Sequence, residues 1–188
     1  VKWIDHTSGF VKDGIIDKDR YGDWCVPPED PKLIHSKDPA RKTSAAMLAT
    51  TYFYRCLTLM ARYATVLGKS AEAQAYLAQA ETLKAALNAK YYKADLGYYD
   101  NGTQTACVLP LAFDMVPQAE RGRVFGHLVK KITEETQGHV GTGLIGGQWL
   151  NGVLTDGGRV DLAYRFATNT TYPSWGYMVE KGATTVWE

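Results

Sequence analysis

Between Thr43 and Leu67 the chain is apolar on almost every face, with Arg55 and Arg62 as its only charges. A helix of that kind has to be covered on most sides, so it belongs inside a larger helical assembly. It does not read as a membrane span, because the two arginines interrupt it. The next most apolar stretch, Ala106 to Val116, is short and holds Pro110 and Asp114. No membrane association is expected. Gly68 stops the segment, and Ser70 is placed to cap a second helix. From Ala71 to Lys93 a stripe of Tyr76, Ala80, Leu83, Leu87 and Tyr91 stands apart from Glu72, Glu81, Lys84 and Lys90. That one-sided pattern is an outer helix with a single buried face.

The same alternation returns downstream. Thr103 to Met115 is a short apolar helix that accommodates Pro110, and Pro117 opens an amphipathic helix to about Gln137. Thr142 to Leu154 and Arg159 to Thr168 form a further pair across Asp156-Gly157-Gly158, and a short helix runs from Ser174 to Glu180. The first forty residues are turn-rich and polar apart from a helix tail at Val1 to Asp5, and no stretch alternates long enough for a confident strand. The fold class is therefore all-α, built from inner and outer helix pairs, as in a double-layered toroid or an α-solenoid. No period with a fixed repeat signature is present, which favours the toroid. Functional groups are then expected on the loops at one end of the inner helices.

Several function classes are disfavoured. Twenty-one Lys and Arg face 20 Asp and Glu, a net charge of +1, and the densest basic patch (Arg121, Arg123, Lys130, Lys131) has acids close by. Nucleic acid is not an expected partner. Cys25, Cys56 and Cys107 fit neither a disulfide framework nor a zinc motif and read as buried or neutral thiols. His6, His35, His127 and His139 make no HExxH pattern, no serine sits in a G-x-S-x-G elbow, and no metal site is assigned. Gly141-Thr142-Gly143-Leu144-Ile145-Gly146 matches G-x-G-x-x-G, with Asp161 near the spacing of a ribose-binding acid. The match lacks its βαβ context, so the glycines read instead as a means of packing a short inner helix closely. His139 borders that loop. Asn101 and Asn169 begin formal glycosylation sequons, a pattern common by chance.

Aromatic residues set beside carboxylates remain: Tyr21-Gly22-Asp23-Trp24, Tyr172-Pro173-Ser174-Trp175-Gly176 and Trp187-Glu188. Trp and Tyr faces stack on the C–H faces of sugar rings, while carboxylates accept bonds from vicinal hydroxyls or act as acid and base on a glycosidic bond. The same clusters also suit core packing. Asp23, directly after a Tyr-Gly turn, fits a sugar ligand and a cap on backbone N–H groups equally well.

Tyr21-Gly22-Asp23-Trp24, Gln104-Thr105-Ala106 with Leu109-Pro110-Leu111-Ala112-Phe113, and above all Tyr172-Pro173-Ser174-Trp175-Gly176-Tyr177-Met178 with Gly182-Ala183-Thr184-Thr185-Val186-Trp187-Glu188, carry a resemblance. The chain resembles bacterial α-L-rhamnosidases of glycoside hydrolase family 78 over nearly its whole length. The resemblance implies an (α/α)6 barrel catalytic domain that cleaves terminal α-L-rhamnosyl linkages of glycosides or polysaccharides with inversion and without a required cofactor. It implies Glu188 as general base, Asp23 and Trp24 at the rhamnose subsite with Trp24 as a stacking wall, and Trp175 lining the pocket or packing beneath it.

The family's general acid lies in an acidic, arginine-containing motif upstream of Val1, and no equivalent is found here. Residues 1–188 are thus expected to be roughly the second half of the barrel, holding the base without the acid, and as an isolated fragment almost inactive. Exposed inner-helix surface is expected to promote self-association. The compartment is not assigned. The rival readings are another (α/α)6 carbohydrate-active enzyme and a non-catalytic helical interaction scaffold.

Overall fold

The structure, a computed structural model, describes residues 2–28, 30, 32, 33, 36 and 38–187; Val1, Glu29, Pro31, Ile34, His35, Lys37 and Glu188 lie outside the described residues. The chain divides into two compact units, Val1–Gly22 with Ser44–Tyr92, and Asp23–Thr43 with Lys93–Glu188.

In the first unit α1 (Lys2–Ser8) leads into a two-stranded antiparallel ribbon, β1 (Val11–Lys12) and β2 (Ile15–Ile16), with Val11 opposite Ile16 and Lys12 opposite Ile15. The ribbon turns at Asp13 and Gly14, both at positive φ, and a side chain at Gly14 would run into Ala86. α2 (Ala45–Val66) and α3 (Ser70–Tyr91) form a helix hairpin around Gly68, whose φ of 70° ends α2 and lets the Lys69 N–H donate to the Ala64 carbonyl at 2.8 Å. The Ser44 hydroxyl caps α2 at the Met47 N–H, and Thr50 Oγ1 accepts from the Ile16 N–H at 3.0 Å, tying the ribbon to the helix.

The apolar segment is covered as expected from Ala45 to Ala61; beyond Arg62 the turn carrying Tyr63, Val66 and Leu67 is exposed. The stripe of α3 is buried at Ala80, Leu83, Leu87 and Tyr91. Ser70 is not the cap. It is the first helical residue, and Lys69 occupies the cap position with its ammonium bound to Glu72 at 2.9 Å.

In the second unit α4 (Gln104–Ala112) packs on α5 (Arg121–Lys130) and α6 (Leu144–Asp156), α6 packs on α7 (Val160–Thr168), and α7 packs on α8 (Trp175–Glu180). Leu109, Leu128, Ile132, Leu150, Leu154 and Phe166 are sealed in its core. Thr103 caps α4 at the Ala106 N–H, and its hydroxyl also meets that of Thr43 at 2.6 Å. The amphipathic segment after Pro117 is not one uniform helix. A 3-10 turn (Gln118–Glu120) enters α5, and a π-helical turn (Lys131–Glu135) comes directly after it. Among the described residues no helix is long and apolar enough to cross a membrane.

Thr142, just before α6, has a buried hydroxyl with no hydrogen-bond partner among the described residues. An unmade bond leaves the desolvation cost in place, so the near-isosteric Thr142→Val is expected to stabilise the protein by about 1 kcal/mol. A higher midpoint in thermal or urea denaturation checks it; a lower midpoint shows that the hydroxyl does find an acceptor.

Candidate active site

The N-terminus of α6 is closed by Asp23. One carboxylate oxygen accepts the N–H groups of Ile145 at 3.1 Å and Gly146 at 3.2 Å, and the other accepts Gly143 at 2.8 Å together with a short bond from the Thr105 hydroxyl. Amides at the start of α6 supply three of these donors, which is the chemistry of an N-terminal cap delivered from a distant loop. Of the two roles open to Asp23, the backbone cap is the one displayed, and both of its oxygens are occupied by protein donors. Burial pushes the carboxyl above its ordinary value, while the four donors pull it back toward ionisation.

Trp24 is fixed by the same contact. Its carbonyl accepts the Leu144 N–H at 2.7 Å, and its side chain is partly exposed. Gly143 explains how the loop comes so near. A Cβ there would stand 2.7 Å from Asp23 Oδ1 and 2.8 Å from the Asp23 carbonyl, and would collide with the Trp24 carbonyl. A side chain at Gly146 would collide with Thr105. These G-x-G-x-x-G glycines thus serve close packing.

The loop between the π turn and α6 is organised by Gln104, a fully buried amide at the start of α4. Its Nε2 donates to Thr136 Oγ1 at 3.0 Å and to the His139 carbonyl at 3.2 Å, and its Oε1 accepts from the Gly141 N–H at 2.9 Å. His139 spans to the next loop, with Nδ1 2.8 Å from the Thr136 carbonyl and Nε2 2.8 Å from Thr171 Oγ1. His127 is a packing residue, tilted against Tyr98 at 4.6 Å with Nε2 3.2 Å from the Gly102 carbonyl.

The Tyr172-Pro173 peptide is cis, and Ser174, buried, caps α8 at the Tyr177 N–H while bonding to the Asn169 carbonyl. Trp175 is half-buried and meets the sealed Phe166 ring edge-on at 6.0 Å. Tyr172, Tyr177 and Trp187 form an edge-to-face series with centroids 5.6 and 6.5 Å apart. These three rings line a cavity of about 300 Å³ with Cys25, Pro27 and Met178. A neighbouring cavity of about 370 Å³ shares Pro27, Tyr172 and Pro173 with it and is otherwise lined mainly by polar side chains, including Arg41, Lys131 and Glu135. Both volumes are of ligand-binding size.

The sequence-assigned residues are thus distributed unequally. Asp23 and Trp24 sit together at the start of α6, Trp175 lies against Phe166, and Glu188 lies outside the described residues, directly after the cavity-lining Trp187. Gln104 and Thr105 acquire roles that residue type alone did not assign. The available signal was a pair of adjacent polar residues opening an otherwise apolar helix. Cys107 is sealed in the core, and burial pushes its thiol up to about 12, which leaves it unreactive.

A family model described as the bacterial alpha-L-rhamnosidase 6 hairpin glycosidase domain matches residues 1–188. An alpha-L-rhamnosidase of Formosa agariphila is 34% identical over 187 residues, covering 100% of this chain and 20% of that protein. One from Streptomyces avermitilis is 38% identical over 184 residues, covering 97% and 16%. The chain therefore spans about a fifth of the length of the curated relatives it matches. Among solved structures, the alpha-L-rhamnosidase from Dictyoglumus thermophilum superposes with a TM-score of 0.86 at 33% identity, covering 100% of this chain and 20% of that one. The Streptomyces avermitilis enzyme complexed with L-rhamnose also gives 0.86, at 35% identity and 99% and 16% coverage.

Proposed function

Because the chain belongs to the bacterial alpha-L-rhamnosidase six-hairpin glycosidase domain family, we propose that it forms part of the catalytic domain of an inverting α-L-rhamnosidase. The observation that carries this reading is the aromatic cavity bounded by Tyr172, Tyr177 and Trp187, since Trp187 immediately precedes Glu188. L-Rhamnose is a 6-deoxy sugar with a methyl group and apolar C–H faces. Rings, proline and the Met178 thioether suit those surfaces better than they suit a fully hydroxylated hexose.

In this reading Glu188 is the general base. It takes a proton from water as the oxygen attacks the anomeric carbon, while a second carboxyl group, about 6.5–9.5 Å away, protonates the departing glycosidic oxygen. That acid comes from outside these 188 residues. Attack on the face opposite the leaving group converts the α linkage into β-L-rhamnose. Trp24 supplies a stacking wall at the sugar. Asp23 acts through Trp24, because its oxygens are spent on the α6 amides and Thr105. Trp175 supports the site from its contact with Phe166.

The stereochemistry tests the mechanism. Proton NMR of an aryl α-L-rhamnoside hydrolysed by the full-length protein is expected to show β-L-rhamnose first, with the α anomer growing in by mutarotation. α-L-Rhamnose as the first product would mean retention and would remove Glu188 from the role of base. Trp24→Ala in the same assay is expected to lower kcat/KM about 10- to 100-fold, since one lost sugar–ring contact costs about 1–3 kcal/mol. An unchanged value places Trp24 outside the subsite.

A further inference from the structure

Two ties hold the loop that carries Tyr172 to the loop before α6. The Val140 N–H donates to the Pro173 carbonyl at 3.0 Å, and His139 Nε2 stands 2.8 Å from Thr171 Oγ1. Tyr172 lies between the two tied residues and forms part of the aromatic wall. Nothing in the proposed rhamnose chemistry uses His139. We infer that His139 is a positioning residue that clasps this wall as an imidazolium, so that the cavity keeps its sugar-binding shape while the ring carries both protons. That the sugar is L-rhamnose rests on the rhamnosidase reading.

The acceptors place the protons. The Thr136 carbonyl, 2.8 Å from Nδ1, can only accept, so Nδ1 carries a hydrogen. On the other side Asn169 decides. Its Oδ1 accepts the Thr171 N–H at 3.0 Å, which settles the orientation of the amide, and the Thr171 hydroxyl lies 2.6 Å from the same oxygen. Two oxygens that close need a hydrogen between them, and the hydroxyl owns the only one. Thr171 Oγ1 therefore presents a lone pair to Nε2, and Nε2 has to donate. A ring that donates from both nitrogens is charged. A histidine exchanges its second proton between about pH 5 and 8. Without that proton either two lone pairs face each other across 2.8 Å, or the hydroxyl turns away from Asn169, and one bond is lost in both cases.

The charged and titratable groups around the ring come from four segments. Arg41, with Lys131 and Glu135 of the π turn, lines the polar cavity with His139, as does Tyr172, whose hydroxyl donates to the Pro28 carbonyl at 3.3 Å. Arg165 of α7 packs over Gly138, its Nη2 donating to the Gln137 carbonyl at 3.1 Å. Lys131 and Glu135 are paired with each other at 2.6 Å, and among the described residues no carboxylate bonds to either ring nitrogen. A carbonyl and a hydroxyl thus hold the imidazolium. Its response to pH belongs to the Asn169–Thr171–His139 chain and not to an ion pair.

Two variants of the full-length protein act on this chain in opposite senses. Thr171→Val removes the acceptor of Nε2. Asn169→Ala removes the oxygen that claims the Thr171 proton, so that the hydroxyl is free to donate to a neutral ring. The Kd of L-rhamnose, followed by tryptophan fluorescence, is compared with wild type at about pH 5 and about pH 8. Thr171→Val is expected to bind about 3- to 10-fold more weakly at the lower pH, the worth of one net hydrogen bond, and equally at the higher. Asn169→Ala is expected to match wild type at the lower pH and to bind more tightly than wild type, by about the same factor, at the higher. A Thr171→Val deficit that is equal at both pH values marks a contact without a proton switch and overturns the inference, as does the absence of any deficit. Weaker binding by Asn169→Ala at the higher pH overturns it too. Without sugar, Thr171→Val should lower the thermal midpoint more at about pH 5 than at about pH 8. If wild type binds no L-rhamnose, the rhamnosidase reading is sunk, and these midpoints decide the clasp by themselves.

Discussion

Asp23→Ala is expected to destabilise the domain by about 4 kcal/mol, the largest stability effect of any single side-chain truncation at the site. The change removes the shared acceptor of three amides at the start of α6 and of the Thr105 hydroxyl. Each buried donor left unmade costs about 1–3 kcal/mol, and partial entry of water into the vacated space holds the total below the simple sum. Asp23→Asn is expected to cost less, about 1–3 kcal/mol. The amide oxygen can still accept from two amides and the Thr105 hydroxyl can reverse to accept from the new NH2 group, which leaves the Gly143 N–H facing a donor. Urea denaturation of both variants measures the order, and equal stability of wild type and Asp23→Ala would dismiss the cap.

The same pair has a pH signature. Burial holds the folded carboxyl above its ordinary value of 3.8, so the folded state binds the proton more tightly than the unfolded state does. The contribution of Asp23 to stability is therefore fully present below 3.8 and declines as pH rises through the folded value, above which it is constant. The difference between wild type and Asp23→Asn should change across that window and be flat at higher pH. A difference that instead grows with rising pH would mean that the four donors outweigh burial.

How much of the fold is legible in the sequence depends on the range of each signal. Helix type and pairing are visible because the all-round apolar pattern of Thr43–Leu67 and the one-sided stripe of Ala71–Lys93 are repeated over many turns, and burial follows the first as far as Ala61 and the second at Ala80, Leu83, Leu87 and Tyr91. Ends depend on single residues and are less secure. Ser70 is a plausible cap by composition, yet the Gly68 turn places Lys69 there. The π turn leaves no mark in the hydrophobic pattern, where its buried Ile132 reads as one more apolar position of an amphipathic helix. At the site, Asp23 can be nominated from its neighbours, but its four donors come from residues 82 to 123 positions away. No local pattern encodes that distance. Gln104 is hidden in the same manner: its amide reads as one polar residue at a helix start until the Thr136–Gly141 loop is seen to hang from it.

Glu188→Gln in the full-length protein is expected to lower kcat on an aryl α-L-rhamnoside by at least about 10²-fold, and up to about 10⁴-fold, with little change in KM. Glutamine keeps the shape and hydrogen-bonding reach of the side chain but cannot take a proton from water, so the loss falls on the chemical step. Two further readouts separate a base from a merely supporting carboxylate. The acid limb of the kcat/KM profile, which reports ionisation of the base, should disappear in the variant. Azide, a nucleophile that needs no deprotonation, should restore turnover in Glu188→Ala by attacking the anomeric carbon from the water side and leaving β-L-rhamnosyl azide. Full activity in both variants would transfer the catalytic role to another residue and reopen the choice between another (α/α)6 carbohydrate enzyme and a scaffold. Loss without azide rescue and with a raised KM would make Glu188 a sugar ligand, in a pocket whose aromatic wall already begins at the residue before it.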